Sequence, residues 1–174
     1  MWQIHDVRTK DDLEVISGPG GALEAFLEAR SSGKVRFIGV TGHHAPEILT
    51  RAVNEWPVDA VMMPVNPAEE VLGGFLTSTL PAARSKGIAV VGMKIMGGSH
   101  YIHLAHGVTP ERLIRYALSR GVTMAIVGCS TAEEVKILAE TGRNFERLSD
   151  SELSQLTKVF EPYAGQLAYY RGEI

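Results

Sequence analysis

The sequence is poor in cysteine: Cys129 is the only one among its 174 residues. A single thiol excludes an intrachain disulfide framework and a zinc or iron–sulfur site built from several cysteines. No apolar run approaches the roughly 18 residues that a membrane span needs, and the N-terminus has no basic-then-apolar signal layout. These absences predict a soluble, cytoplasmic protein with no membrane partner.

An excess of basic residues is also lacking. The 17 Lys and Arg stand against 20 Asp and Glu, so the formal net charge is −3. A nucleic-acid-binding protein usually carries a basic excess or a basic stripe, and neither is present, so no nucleic-acid partner is expected. Hydrophobic residues make up 45% of the chain, which is enough for a globular core and too much for a disordered protein.

Short apolar runs rich in β-branched residues recur along the chain. They are nearly continuous in hydrophobicity, as is typical of parallel strands that are buried on both faces. A weaker run opens the chain and four stronger ones follow, so that the predicted strands are residues 2–7, 35–40, 58–65, 88–93 and 122–127.

Helical periodicity follows the runs, over residues 21–32, 46–55, 68–86, 110–120 and 132–141. Residues 10–12 are expected to form a solvated loop, and residues 149–160 an appended helix whose Ser149 and Glu152 are capping candidates. The expected division is therefore a part with alternating strands and helices over residues 1–148 and a C-terminal helix and tail over residues 149–174.

Regular alternation of strand and helix predicts an α/β fold with a parallel sheet. An eight-unit (β/α) barrel takes about 250 residues, or roughly 31 per unit, so this chain holds about five units. By length and pattern alone, the chain could be part of such a barrel or an open doubly wound sheet of five strands. The open sheet is favoured, because it fits the length of the chain with no strand missing.

Polar residues and glycines concentrate just after the predicted strands, where parallel α/β folds bind their ligands. These segments begin at His5, Thr41, Asn66, Lys94 and Gly128. The last one, Gly-Cys-Ser-Thr, leads directly into a helix and could bind an anion at the helix N-terminus. The simpler interpretation is that Ser130 or Thr131 only caps the helix.

These segments, in their sequence and in their order along the chain, resemble the C-terminal part of the aldo-keto reductases. The resemblance is carried by QIHDV, GKVRFIGVTGHH, DAVMMPVN, GIAVVGMKIMGG and LIRYALSRGVTMAIVGCSTAEEV, which cover nearly the whole chain. It implies strands four to eight of a (β/α)8 TIM barrel, and therefore a partial barrel of about five consecutive βα units plus a C-terminal helix. The activity implied is hydride transfer between a nicotinamide dinucleotide, NAD or NADP, and a carbonyl.

The resemblance also implies roles for particular residues. His5 matches the catalytic histidine that orients and polarises the carbonyl. The dinucleotide would be held by residues of the four later strand ends, namely Thr41, Asn66, Met93, Lys94, Gly97, Gly98, Gly128, Ser130 and Thr131. Glu134 lies where a basic residue would select a 2′-phosphate, with Lys136 the nearest cation, and this makes a preference for NADP doubtful.

The family's catalytic Asp, Tyr and Lys have no counterparts in this chain, and Tyr101, Tyr116 and Lys94 do not match them. The resemblance therefore implies an oxidoreductase fragment that is incomplete as an isolated chain. The alternative is a catalytically silent half-barrel that binds nucleotide or assembles with a partner. The strands at 2–7 and 122–127 would be open edges, so the expected partner is a second copy of the chain or a complementary N-terminal half.

A metal-dependent hydrolase is the other alternative considered. His100, His103 and His106 follow one another at a spacing of three, and His43 and His44 lie at another strand end. Histidines three or four apart on a helix can bind zinc. However, successive spacings of three drift around a helix, and residues 71–110 contain no Asp or Glu. The sequence therefore assigns no metal site.

Overall fold

The computed structural model describes residues 1–172 and contains a five-stranded sheet. The order of strands in the sheet is the order in the chain, and neighbouring strands run parallel. The strands are β1 (Trp2–Ile4), β2 (Ile38–Thr41), β3 (Ala60–Pro64), β4 (Ala89–Met93) and β5 (Met124–Ala125). Consecutive parallel order is that of a partial TIM barrel, which confirms the predicted fold class. It corrects the open doubly wound sheet, whose strand order reverses at a switch point.

Helices fill the connections between the strands. They are α1 (Lys10–Ser17), α2 (Ala22–Ser31), α3 (Pro46–Glu55), α4 (Pro67–Leu72), α5 (Leu80–Ser85), α6 (Pro110–Ser119), α7 (Ala132–Arg143), α8 (Asp150–Phe160) and α9 (Ala164–Leu167). A π-helical turn, Phe75–Thr79, leads into α5, and single 3-10 turns occur at Gly97–Ser99, Leu104–His106, Glu161–Tyr163 and Tyr169–Arg171. None of the helices within residues 1–172 is long and apolar enough to cross a membrane.

The chain divides into two compact units, each with its own core. The first comprises residues 1–63, 74–90 and 170–172, and α3 packs four buried residues of one face, Ile48, Leu49, Ala52 and Val53, into its core. The second comprises residues 64–73 and 91–169, and its core includes Leu113 and Ile114 of α6 with Leu153 and Leu156 of α8. This division differs from the predicted boundary after residue 148. A separate segment at 149–174, whose last two residues lie outside the described part, therefore remains a prediction.

Two local predictions are wrong. Residues 10–12 begin helix α1 rather than a loop, because Thr9 and Asp12 form a reciprocal capping box that starts a helix despite the charged opening. The run at 122–127 contributes only Met124–Ala125 as strand, and Met124 is 56% exposed. Apolar composition predicted a buried strand there, but β5 pairs only with β4 among the described strands.

The capping box at the start of α8 makes stability depend on pH. Backbone and side-chain hydrogen bonds from Ser149 hold the pKa of Glu152 below its usual value. A carboxyl with a lowered folded-state pKa contributes stability above its unfolded pKa of about 4.5, and the contribution disappears as pH falls through the folded value.

We expect Glu152→Gln to be less stable than the wild-type chain at pH 7, with the difference shrinking towards zero as pH falls below about 4.5. Urea unfolding followed by circular dichroism at a series of pH values measures this. A stability difference that stays constant from pH 7 to pH 3 would contradict the role given to the ionised carboxylate.

Candidate functional site

The first unit places His5 directly after β1, at the carboxyl end of the strand, with its side chain exposed. The next residue, Asp6, has a φ of 59°, which turns the chain sharply at this point. Its N–H donates to the Thr41 hydroxyl at 2.8 Å, and the Val7 N–H donates to the Thr41 carbonyl at 2.9 Å. Thr41 is buried, so its hydroxyl holds the ends of β1 and β2 together.

The same edge brings two histidines to a carboxylate. His43 Nε2 lies 3.3 Å and His44 Nε2 3.9 Å from Asp6 Oδ1, while Arg8 donates to Asp6 Oδ2. Burial by itself raises the pKa of Asp6, but the Arg8 hydrogen bond and the nearby charges outweigh it and lower the pKa overall. The sequence placed these three residues after two neighbouring strands. It did not predict that they would face one another.

In the second unit, Asn66 lies at the end of β3 and is fully buried. Its Oδ1 accepts the Glu69 N–H at 3.1 Å and caps α4, and its Nδ2 donates to the Lys94 carbonyl at 3.1 Å. Lys94 follows β4 with a φ of 56°, and this hydrogen bond helps to hold the chain in that uncommon conformation. Asn66 therefore has a clear structural role, and its predicted contact with a cofactor remains a prediction.

The loop after β4 begins at half-buried Met93 and contains the glycines Gly97 and Gly98, both at positive φ. A Cβ on Gly97 would come 2.4 Å from the ring of Tyr101, so this glycine is required by close packing as well as by its backbone. A Cβ on Gly98 would meet nothing closer than 3.6 Å. Gly98 therefore leaves space above the backbone where a ligand could approach.

The loop after β5 ends at the N-terminus of α7. Thr131 caps the helix, and the Glu134 carboxylate accepts the N–H groups of Ser130 and Thr131 at 2.5 and 3.3 Å. The chain's own carboxylate thus occupies the backbone donors that an anion would use. Lys136, the cation considered for a 2′-phosphate, pairs with Glu133 at 3.2 Å.

These two loops of the second unit share a cavity of about 110 Å³. Its polar lining comprises Ser99 from the β4 loop, Ser130 from the β5 loop and Glu134 from α7, and Gly128 and Cys129 complete that side. A Cβ on Gly128 would meet no atom within 4 Å. Of the residues that the sequence assigned to a dinucleotide in these loops, Gly128 and Ser130 line the cavity. Its lining does not include Met93, Lys94, Gly97, Gly98 or Thr131, so their contact with a cofactor remains a prediction.

The three histidines of the HYIHLAH segment do not assemble into a ligand set. His103 and His106 have ring centroids 4.4 Å apart, whereas His100 packs edge-on against Tyr169 at 6.0 Å. Within residues 1–172, ligand atoms of three potential metal-binding side chains approach one another only at Asp6, His43 and His44. His100, His103 and His106 therefore form no three-ligand set within the described residues, which removes the ligands on which the metal-hydrolase alternative was based.

The two tyrosines excluded from the catalytic role have structural partners. The Tyr101 hydroxyl donates to the Leu167 carbonyl at 2.8 Å, and the Tyr116 hydroxyl donates to Glu70 at 3.2 Å. Burial raises the pKa of Tyr116 far above its ordinary value. A phenol whose pKa is raised and whose proton is already donated in a hydrogen bond is a poor proton donor.

The double role of Asn66 leads to a stability prediction. Asn66→Ala removes a helix cap and one hydrogen-bond donor to the Lys94 carbonyl, so we expect a loss of about 2–3 kcal/mol. Thr109→Ala, which removes only the cap of α6, should cost about 1 kcal/mol. Urea unfolding of both variants measures the difference, and equal losses would show that the Asn66–Lys94 hydrogen bond contributes nothing.

Comparison with known proteins finds similarity at the level of structure only. No protein-family model matches the chain, and no curated protein matches its sequence. A thermostable aldo-keto reductase in complex with the inhibitor epalrestat is 17% identical, with a TM-score of 0.66 over 90% of this chain. An aldo-keto reductase from Klebsiella pneumoniae in complex with NADPH is 16% identical, with a TM-score of 0.63 over 91% of this chain.

The chain spans 58% and 57% of the lengths of these two structures. At such low identity the likeness establishes the fold and leaves the reaction open. The parallel five-stranded α/β sheet of this chain thus has the fold of part of an aldo-keto reductase barrel.

Proposed function

We propose that this chain is the nicotinamide-dinucleotide-binding part of an aldo-keto reductase barrel, corresponding to its strands four to eight. The single observation that carries the proposal is the cavity of the second unit, where the loops after β4 and β5 meet. Ligands of parallel barrels bind at the carboxyl ends of the strands, and the loops after β4 and β5 leave from the carboxyl ends of those two strands. The likeness to a reductase in complex with NADPH supports the same interpretation.

At about 110 Å³ the cavity is smaller than the roughly 300–1,000 Å³ of an ordinary ligand pocket, so it would take only part of a dinucleotide. Gly98 and Gly128 leave open space beside the backbone, as close approach of a pyrophosphate requires. Lys94, Gly97, Ser130 and Thr131 would contribute the remaining contacts. The Glu134 carboxylate opposes any added phosphate, and this favours NAD over NADP.

His5 is the proposed catalytic residue. Its exposed imidazole at the end of β1 can donate a hydrogen bond to a carbonyl oxygen and stabilise the negative charge that develops there. Met93 would pack against the nicotinamide ring. A contact of Thr41 with the cofactor is the corresponding proposal for the first unit. The cofactor, when bound, supplies the hydride, and this chain's residues bind the cofactor and orient the carbonyl.

Proton delivery is the step for which the resemblance finds no matching group in this chain. The resemblance assigns it to a Tyr assisted by Lys and Asp, which the chain does not contain in matching positions, and Tyr101 and Tyr116 are committed elsewhere. We therefore propose that the isolated chain binds nucleotide without turnover.

We also propose the cytoplasm as its compartment.

Nucleotide binding is tested by Glu134→Gln. This change removes the carboxylate that occupies the α7 donors, so we expect NADH to bind several-fold tighter, and NADPH to gain about 10-fold or more because its extra phosphate no longer meets a like charge. Isothermal titration calorimetry measures both affinities.

Glu152→Gln is the matched control, because it removes the charge from the equivalent capping box of α8, and Glu152 does not line the cavity. It should leave both affinities unchanged. Failure of the wild-type chain and of Glu134→Gln to bind either nucleotide would contradict the proposal. Oxidation of NADH or NADPH by the isolated chain in the presence of a carbonyl compound would contradict the proposed catalytic silence.

Assembly with a partner is a second candidate function, because apolar side chains are exposed at the edge strands. In the second unit, Met124 and Ile126 are 56% and 44% exposed beside β5, and Val135 of α7 is 53% exposed. In the first unit, Trp2 of β1 is 49% exposed. Such edges attract further strands, and we propose a second copy of the chain or a complementary half-barrel as the partner.

We expect Ile126→Lys to shift the purified chain from oligomer towards monomer, because a charge on an edge strand opposes pairing. Val15→Lys is the control, since Val15 is 74% exposed and belongs to helix α1 rather than to a strand. Sedimentation velocity of the three proteins measures their association, and a wild-type chain that sediments as a monomer at all concentrations would rule out self-assembly.

A further inference from the structure

We propose that Asp6, His43 and His44 bind a divalent transition-metal ion of the Zn²⁺ class. These two imidazoles and one carboxylate form a three-ligand set at the ends of β1 and β2. The inference does not depend on the proposed dinucleotide function, because all three residues belong to the first unit and none lines the cavity of the second.

The hydrogen bonds of the two imidazoles fix where their lone pairs point. His43 Nδ1 lies 2.7 Å from the Tyr170 carbonyl oxygen, and His44 Nδ1 lies 3.1 Å from the Arg171 carbonyl oxygen. A carbonyl oxygen only accepts, so each Nδ1 must carry the proton. In the neutral ring Nε2 then has the lone pair, and a backbone carbonyl behind Nδ1–H is the usual outer support of a metal-bound histidine.

Two buried atoms in this cluster have no hydrogen-bond partner. They are Asp6 Oδ1 and His44 Nε2, and the Asp6 side chain is only 10% exposed. The carboxylate oxygen and the imidazole lone pair are both acceptors, so bringing them together is unfavourable unless a positive charge lies between them. A bound cation would satisfy both atoms at once.

The distances suit one ion with small adjustments. Donors about 2.1 Å from a tetrahedral zinc are about 3.4 Å from each other. His43 Nε2 lies 3.3 Å and His44 Nε2 3.9 Å from Asp6 Oδ1, and the three ligand atoms all lie within 4.8 Å of one another. Arg8 holds the other carboxylate oxygen, Oδ2, and so leaves Oδ1 as a single ligand atom.

The backbone carbonyls that support the histidines belong to a segment that is itself anchored. Tyr170 is buried, and the Arg171 guanidinium lies 5.1 Å from the centre of the Phe75 ring. A Cβ on Gly172 would come 3.5 Å from His44 Nδ1, so the segment packs closely against the ring. The imidazoles are therefore oriented before any ion arrives.

Three protein ligands leave at least one coordination position for water or for a substrate oxygen. The His43 and His44 side chains are 19% and 22% exposed, although the ligand atoms Asp6 Oδ1 and His44 Nε2 are themselves buried. The class of ligand implied for the open position is a small molecule with a carbonyl or hydroxyl oxygen, which a bound cation would polarise.

The test is Zn²⁺ titration of the full chain after removal of metal with a chelator. Isothermal titration calorimetry should show one site per chain, and Co²⁺ in place of Zn²⁺ should give the visible absorption of a four- or five-coordinate ion. Asp6→Asn and His44→Ala should each weaken Zn²⁺ binding by more than about 100-fold, since removing a ligand exceeds the 10–100-fold cost of removing an outer support.

His100→Ala is the matched control, because it removes an exposed imidazole outside the cluster, and it should bind Zn²⁺ as the wild type does. Asn tolerates the positive φ of Asp6, so Asp6→Asn is expected to fold, which circular dichroism checks. If the wild-type chain binds no Zn²⁺ in competition with a weak chelator, the cluster is an ion pair and the proposal is wrong. Unchanged Zn²⁺ affinity in both Asp6→Asn and His44→Ala would overturn it equally, by placing the ion elsewhere.

Discussion

Parallel pairing of short buried strands is the constraint on which every site of this protein depends. A parallel ladder aligns the carboxyl ends of its strands at one edge, and the chain must leave that edge through loops whose polar groups need partners. In the first unit the Thr41 hydroxyl accepts the Asp6 N–H beyond the end of β1. In the second, the Asn66 amide fixes the Lys94 carbonyl beyond the end of β4. The same polar residues that could meet a ligand thus first complete the backbone hydrogen bonding.

Sharp backbone turns at these strand ends determine which side chains converge. Asp6 and Lys94 both have positive φ, a conformation that is uncommon outside glycine. At Asp6 the turn directs the carboxylate towards His43 and His44, while His5 remains exposed. Such strained residues persist where the surroundings hold them, and they often lie at functional sites.

Helix capping and anion binding compete for the same backbone donors in this fold. At α7 the Glu134 carboxylate accepts the N–H groups of Ser130 and Thr131, an arrangement that stabilises the helix and repels phosphate. A ligand at this end must displace that carboxylate or bind beside it, where Gly128 leaves space. Affinity for a dinucleotide and stability of the capped helix are therefore opposed at this position.

The sequence by itself determined the order of elements and the fold class. Nearly continuous apolar runs mark strands covered on both faces, and Pro46 and Pro110 mark the starts of α3 and α6. It missed α1, because the capping box of Thr9 and Asp12 lies in a charged stretch without strong apolar periodicity. Only the tertiary structure decided that β5 is short and exposed, that Glu134 covers the α7 donors, and that Asp6 faces two histidines. Each of these depends on a contact or a turn between residues distant along the chain, or on the direction of a side chain, and spacing alone specifies neither.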